Sequence, residues 1–354
     1  MFKKQIKKQL PEFRKDLVSE DWILIAPGRR HRVKLKKSPV KNARPEESLK
    51  DCIFEDPQKS GNSSPILWYP RPGTSLKKVK DFSSWFVQVI PNKYPLVAIS
   101  SDPVCSTIQT KGIEQTLKGV GFHEVIVTRD HFKTIDKMSI GEAELVIRAY
   151  QARYQVLMRE PCVNYIFIYH NQGKSAGATV THPHSQLVAM PVVDPDISRS
   201  LAGSRNYFLS RKKCIHCTML EWEMKKKKRI VYKNKHFISL VPFAPRLSYE
   251  TRIYPLVHAS RFEEITDEKR FALADSLKDA LARIAKALNN PDFNFFIHTA
   301  PIILENGFDD NEHYHWHVEI LPRVSALAGL ELGAGIEAVV VSPEEAAEDL
   351  RKAI

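Results

Sequence analysis

The feature that most constrains the fold is a repetition. "HPHSQLVAMP" (His182 to Pro191) and "HYHWHVEILP" (His313 to Pro322) both open on histidines two residues apart and run through an apolar stretch to a proline. Matching features lie upstream of each. A lone histidine precedes a helical pattern in both halves, His131 in "TRDHFKTI" and His258 in "PLVHASRF". A cysteine with a second polar ligand type three residues on opens each half: Cys52 with Glu55, then Cys214 with Cys217. Self-similarity of this kind means that one supersecondary unit, here of roughly 150 residues, is used twice. Strands are predicted at "WILI", "FHEVIVT" (Phe122 to Thr128), "NYIFIYHN", "SQLVAMPVV", "RIVYKNKHFISLVPF", "ETRIYPLVH", "FNFFIHTAP" and "YHWHVEILP" from their β-branched and aromatic content. "WFVQVIPNKYPLVAI" predicts two short strands broken at Pro91-Asn92, and residues 35 to 80, rich in Lys, Pro and Ser, predict extended loop. Ser139 with Glu142 forms a capping box that predicts a helix from about Ile140 to Met158, and Thr266 caps another from about Asp267 to Leu288. Antiparallel strands with one long helix per unit predict an α+β fold: antiparallel sheets with helices packed on them, one unit at 1–200 and a second at 201–354.

A chain of 354 residues suits two such units. No apolar run approaches the roughly 18 residues that span a bilayer, so no membrane segment is expected. The start, "MFKKQIKKQLPEF", has no apolar region of the secretory kind. Five cysteines are few for this length and suit a reducing cytoplasm, with thiols free or on metal rather than in disulfides. The net charge of +12 is partly local, in Lys225 to Arg229. Such a run reads first as a solvated turn, and no nucleic-acid-binding motif accompanies it, so no nucleic-acid partner is expected. The basic balance equally suits a small anionic substrate such as a nucleotide or sugar phosphate.

Two thiolates and two imidazoles form the donor set of structural zinc. Cys214, Cys217 and His258 supply three of these, and His313 or His315 the fourth. In the first half Cys52, Glu55, His131 and His182 are the corresponding set, with a carboxylate in place of one thiolate. Residues two apart on a strand share a face. If His182 turns to a metal, His184 lies beside it, and a held, neutral imidazole is a nucleophile for phosphorus. The preceding "NQGKSAGATVT" is a glycine-bearing turn in which Gly173 and Gly177 let backbone N–H groups approach phosphate oxygens. Gln186, on the same face, can donate its amide to an oxyanion.

"NQGKSAGATVTHPHSQ" resembles the active-site signature of the galactose-1-phosphate uridylyltransferase family, in the histidine-triad superfamily, and the resemblance runs through nearly the whole chain. It implies two fused histidine-triad-like units in a homodimer, acting on a nucleotide sugar and a sugar 1-phosphate by ping-pong transfer through a covalent histidine. Position by position it makes His184 the nucleophile and His182 a zinc ligand with Cys52 and His131, while Glu55 falls where the family has a second cysteine. Asn171, Gly177, Thr179 and Gln186 match phosphate-contacting positions, Asn92 a nucleotide-pocket position, and Arg29 and Arg32 the N-terminal arginines. Cys214, Cys217, His258 and His315 resemble the second zinc site of a plant relative, an ADP-glucose phosphorylase. His298 and His317 match two ligands of an iron site found in other members, but Glu319 replaces a third, which favours zinc at the thiolates. Glu331 matches a sugar-contacting glutamate, whereas Leu330 stands where a tyrosine is usual.

The leading functional expectation is exchange between UDP-glucose and galactose 1-phosphate, or another hexose 1-phosphate, through nucleotidylated His184. An ADP-sugar or dinucleoside-polyphosphate phosphorylase keeps the first step and uses inorganic phosphate as acceptor. Histidine-triad hydrolases carry H-x-H-x-H, and the first unit has Gln186 at the third position. A zinc-stabilised nucleotide- or RNA-binding module using Lys225 to Arg229 is the non-enzymatic reading.

Overall fold

The computed structural model describes residues 10–29, 49–74, 81–99, 107–302 and 312–354. Its centre is a ten-stranded sheet. Five strands come from the first half: β3 (Leu67–Pro70), β4 (Trp85–Pro91), β7 (Phe122–Thr128), β8 (Tyr165–Gln172) and β9 (His184–Met190). Five come from the second: β10 (Ile230–Lys233), β11 (Phe237–Leu240), β12 (Thr251–Pro255), β13 (Phe293–His298) and β14 (His317–Pro322). Read across the sheet, the order β3-β4-β7-β9-β8 meets β13-β14-β12-β11-β10, and each half mirrors the other. The two meet where β8 pairs antiparallel with β13, Asn171 opposite Asn294 and Tyr169 opposite Phe296. Every pairing within this sheet is antiparallel, so the fold is α+β, an antiparallel sheet with helices packed on it.

The long helices are α1 (Ile140–Leu157) and α4 (Asp267–Leu288). Both start at the residues their caps predict. Ser139 and Glu142 form a reciprocal capping box, and the Thr266 hydroxyl accepts from Lys269 N–H. Leu273, Leu277, Leu281 and Ile284 make a buried stripe along α4 at helical spacing and join Val146, Ile147, Tyr150 and Tyr154 of α1 in one core under both halves of the sheet. Each such aliphatic side chain contributes about 1.5–3 kcal/mol by leaving water. Arg270 ties the helices together by donating to Glu144 at 2.7 Å and to Gln151 at 2.6 Å.

A smaller sheet joins β1 (Glu12–Lys15), β2 (Trp22–Ile25) and β15 (Ala338–Val339), and β5 (Gln109–Lys111) with β6 (Glu114–Thr116) forms a hairpin. Short helix α5 (Gly329–Ala334) and α6 (Pro343–Ala353) close the chain. Four details depart from the sequence expectations. β3 lies inside the segment expected as loop, because its residues pair with β4 at the sheet edge. The second strand expected after Pro91 is absent, with Ala98 making only an isolated bridge to Val120. Helices α2 (Pro195–Arg211) and α3 (Ile215–Lys226) were not foreseen, nor were α5 and α6. The 200/201 division therefore falls inside α2, which Asp194 caps and Pro195 starts. The fourth departure is that β9 begins only at His184 and β14 only at His317, so the preceding histidines of each pair sit in irregular chain and are free to turn aside. No described helix is long and apolar enough to cross a membrane.

Candidate active site and metal centres

β8 ends in the glycine turn. Gly173 has φ 85° and ψ 163°, Gly177 φ 85° and ψ 10°, and a 3-10 turn of Lys174–Ala176 joins them. Only glycine enters the first of these regions readily. The chain then runs to His184 at the start of β9, opposite Val127 of β7. The His184 imidazole is buried, and its Nδ1–H donates to the carbonyl of His182 at 2.8 Å. That bond places the lone pair on Nε2. Burial lowers the pKa of His184, so the ring is neutral at physiological pH.

Gln186 follows on the same face. Its Oε1 accepts from Tyr169 OH at 2.9 Å and from His123 Nε2 at 2.8 Å. The His123 tautomer is fixed in turn, because its Nδ1 accepts from Leu96 N–H at 3.0 Å. Both lone pairs of the Gln186 oxygen are occupied, so its NH2 is the end left to meet a ligand. The asparagines on this face are also oriented: Asn92 Oδ1 accepts from Tyr94 N–H at 2.9 Å, and Asn171 Oδ1 accepts from Asn294 at 2.7 Å.

Two donor sets assemble among the described residues, and their members lie within 4.8 Å of one another: Cys52, His131 and His182, and Cys214, Cys217, His258 and His315. Tetrahedral zinc with bonds of about 2.0–2.3 Å separates its donors by about 3.3–3.8 Å. In the second set Cys217 Sγ lies 3.3 Å from His258 Nδ1 and 3.6 Å from His315 Nδ1. The Cys214 thiol is held well below the usual thiol range, chiefly by its hydrogen bond from Cys217 and then by His258 and His315. His315, not His313, completes this set. In the first set Cys52 Sγ is 3.5 Å from His182 Nδ1. Glu55 Oε2 lies beside it, 3.5 Å from His131 Nδ1 and 3.9 Å from His182 Nδ1, outside the three donors that all approach one another within 4.8 Å. That oxygen and His131 Nδ1 are buried without hydrogen-bond partners, which a cation would satisfy. His182 Nε2–H donates to Thr128 O at 2.6 Å, turning Nδ1 toward the set. Both sets fit zinc. A cavity of about 510 Å³ lined by Glu55, His131, Arg129 and Lys133 opens beside the first.

The second half repeats the geometry of the histidine pair. His317 Nδ1 donates to His315 O at 3.2 Å, as His184 does to His182. Its ring is stacked between Tyr254 at 4.8 Å and His298 at 5.1 Å. Glu319 stands where Gln186 stands in the first half and is taken by Arg246 and Arg252. With that carboxylate engaged, no three-donor set gathers at His298, His317 and Glu319 among the described residues.

This arrangement can be set beside known proteins. A family model described as "Domain of unknown function (DUF4921)" matches residues 98–354. ADP-glucose phosphorylase of Arabidopsis thaliana is 32% identical over 354 residues, covering 98% of this chain and 94% of its own. Galactose-1-phosphate uridylyltransferase of Thermotoga maritima is 32% identical over 269 residues, 74% of this chain and 82% of its own. The chain belongs to the galactose-1-phosphate uridylyltransferase family. The crystal structure of the Arabidopsis ADP-glucose phosphorylase with bound ADP-glucose superposes with a TM-score of 0.77 at 30% identity, covering 97% of this chain and 99% of that one.

Of the residues expected from the uridylyltransferase family signature, His182, His184, Gln186, Asn171, Gly177 and Thr179 lie on or beside the β8–β9 connection, and Asn92 packs against His123 on the same face. Arg29 is exposed after β2, and Glu331 lies on α5, where its carboxylate accepts from its own helix's Ala328 N–H at 2.9 Å. No contact brings either to His184. Arg32 lies outside the described residues. Sequence reasoning missed His123, Tyr169 and Asn294. The first two had a period-2 signal, since they occupy the strand face that carries Gln186. Asn294 had none, because only the β8–β13 register brings it to Asn171.

Proposed function

We propose that the protein is a nucleotidyltransferase working through a covalent nucleotidyl-His184. The observation that carries this reading is the bond from His184 Nδ1–H to the His182 carbonyl, which leaves Nε2 as a neutral nucleophile beside a glycine turn and the Gln186 amide. In the first step Nε2 attacks the α-phosphorus of a nucleotide sugar. A P–N bond forms, the P–O bond to the sugar phosphate breaks, and sugar 1-phosphate leaves with the bond's electron pair. The Nδ1–H bond to His182 O steadies the positive charge that spreads over the ring. The Gln186 NH2 and the turn's N–H groups donate to the non-bridging oxygens. In the second step a phosphate oxygen of the acceptor attacks the same phosphorus, the P–N bond breaks, and neutral His184 returns.

Zinc at both sets is part of the proposal, and its contribution at the first is rigidity: a held His182 fixes the carbonyl that orients the nucleophile. So are a catalytic unit at 1–200 with a companion unit at 201–354, a cytoplasmic location and a homodimer. The mirrored strand order supports the two units, and cysteines outside disulfides, Cys52, Cys162, Cys214 and Cys217 among the described residues, suit a reducing compartment.

Two acceptors fit this chemistry. Inorganic phosphate, with an ADP-sugar as donor, is supported by the likeness to ADP-glucose phosphorylase over 98% of the chain. A hexose 1-phosphate, with UDP-glucose as donor, is supported by 32% identity to the Thermotoga uridylyltransferase over 74% of the chain. The test is to incubate the protein with ADP-glucose and with UDP-glucose separately and read the intact mass. An adduct of one nucleoside monophosphate, absent in His184→Ala, is expected. Chasing the adduct with phosphate or with galactose 1-phosphate then identifies the acceptor. If neither donor labels the wild type, the covalent mechanism fails.

A further inference from the structure

The glycine turn belongs to the first half, but the second half holds it. Asp292, just before β13, accepts from Ser175 N–H at 2.8 Å and from Ser175 Oγ–H at 2.6 Å. A Cβ built on Gly173 would lie 1.8 Å from Asp292 Oδ1, so the two pack at the closest approach glycine allows. Asn294, buried at 4% exposure, donates through Nδ2 to Asn171 Oδ1 at 2.7 Å and to Ala176 O at 2.8 Å. Its Oδ1 accepts from Arg323 Nε at 2.6 Å. Turning this amide over would set its oxygen against two other acceptors, so its orientation is fixed. Arg323 is anchored again through its backbone, which donates to Asp292 O at 2.7 Å.

Arg323 differs from the second half's other site-facing arginines. Arg246 and Arg252 are paired with Glu319, Glu250 and Asp196. Arg323 has no carboxylate partner among the described residues, and only its Nε is bonded. Its Nε is linked through Asn294 to Asn171 by two hydrogen bonds, and both asparagines lie on the face that carries Gln186. Burial and the neighbouring Arg246 cation lower its pKa, as expected for a half-buried guanidinium lacking a counter-ion. A planar, permanently charged fork without an anion, held at the edge of a glycine turn, suits a phosphate oxygen.

We propose that Arg323 is a phosphate-binding residue of the active site, positioned by Asn294, and that the second half thereby completes the anion site of the first. The ligand class is a phosphate ester or anhydride lying over the Gly173–Gly177 turn. The inference rests on the nucleotidyl-transfer reading for the identity of that phosphate, but not for its being bound.

The test uses the full chain and calorimetric titration with inorganic pyrophosphate at fixed ionic strength, beside the rate of adduct formation with ADP-glucose. Arg323→Gln is expected to weaken pyrophosphate binding at least about tenfold, the loss of one charge-assisted contact. Arg323→Lys keeps the charge and should recover part of the affinity, with melting lowered to a similar small extent in both, since each loses the bond to Asn294. Asn294→Asp, which cannot donate to Asn171 or Ala176, should weaken binding similarly and add little when combined with Arg323→Gln. Wild-type affinity in Arg323→Gln, or additive losses in the double variant, overturns the proposal, as does failure of the wild type to bind pyrophosphate. Pyrophosphate binding that depends on Arg323 in a protein that forms no adduct would leave this assignment standing and remove the covalent mechanism.

Discussion

Gly173→Ala tests the turn directly. The residue's φ of 85° with ψ of 163° lies where a side chain is strained, at about 1–3 kcal/mol. The added Cβ would meet Asp292 Oδ1 at 1.8 Å, Cγ at 2.2 Å and Oδ2 at 2.8 Å, so the carboxylate has to leave. With it go the two bonds to Ser175, partly exposed and worth about 1 kcal/mol each. The sum is about 3–5 kcal/mol, a large share of the 5–15 kcal/mol that holds an ordinary domain together. Gly177→Ala is the control. At φ 85° and ψ 10° it pays the left-handed penalty of about 1–2 kcal/mol, and its Cβ would meet only Asn171 Nδ2, at 4.0 Å. Denaturant midpoints of the two variants should therefore differ in order, with Gly173→Ala well below Gly177→Ala. Both should slow adduct formation, the first by disordering the turn and the second by filling the space a phosphate approaches. A Gly173→Ala protein with wild-type midpoint and wild-type adduct rate would refute the argument that Asp292 and the glycine define this turn.

At the first metal set, the wild type should hold two zinc equivalents per chain, falling by one in Glu55→Ala; Glu55→Cys should keep both at chelator concentrations that strip the wild type, since thiolate is the softer donor, and one equivalent unchanged in Glu55→Ala would show that Glu55 is no ligand. Cys214→Ser or Cys217→Ser should lower melting more than the rate of adduct formation, because thiolate zinc sites contribute folding energy, on the order of 10 kcal/mol in small peptides and less within a large domain; metal analysis showing full occupancy in the double variant would sink the assignment. Burial pushes the Glu263 carboxyl up to about 7, and Arg261, 3.7 Å from its Oε1, offsets this only in part. The folded protein then holds a proton that the unfolded chain releases near its ordinary value of 4.5, so stability is full below that pH and is lost as pH rises towards 7, by about 3 kcal/mol. Glu263→Gln should therefore stabilise at pH 8 and do little at pH 4 in chemical denaturation, and an equal effect at both pH values would contradict the assignment.

What could be read locally was read. The Ser139–Glu142 box and the Thr266 cap fixed the long helices because capping is decided within four residues. Asp194-Pro195 carries the same kind of start signal for α2, and the weak amphipathicity after it hid the helix. The H-x-H repeat disclosed both donor sets, and what it could not disclose was how they differ in access. That depends on partners far away: Glu319 is neutralised by Arg246 and Arg252 from another turn and strand, and Asn294 meets Asn171 across 123 residues of chain. A repeat in sequence suggests two equivalent sites. The sheet makes them unequal, because the halves join at β8 and β13 and so place the second copy's first strand residues against the first copy's glycine turn. Once Glu319 stood at the position of Gln186, the second copy's site closed over its own ion pairs. Its β13 edge still carries Asp292 and Asn294, and these bond to the turn at Ser175 and Ala176. On the proposal for Arg323 and Asn294, the second unit takes part through its edge rather than its histidines, and the β8–β13 register that sets Asn294 against Asn171 is then a condition of activity in the first.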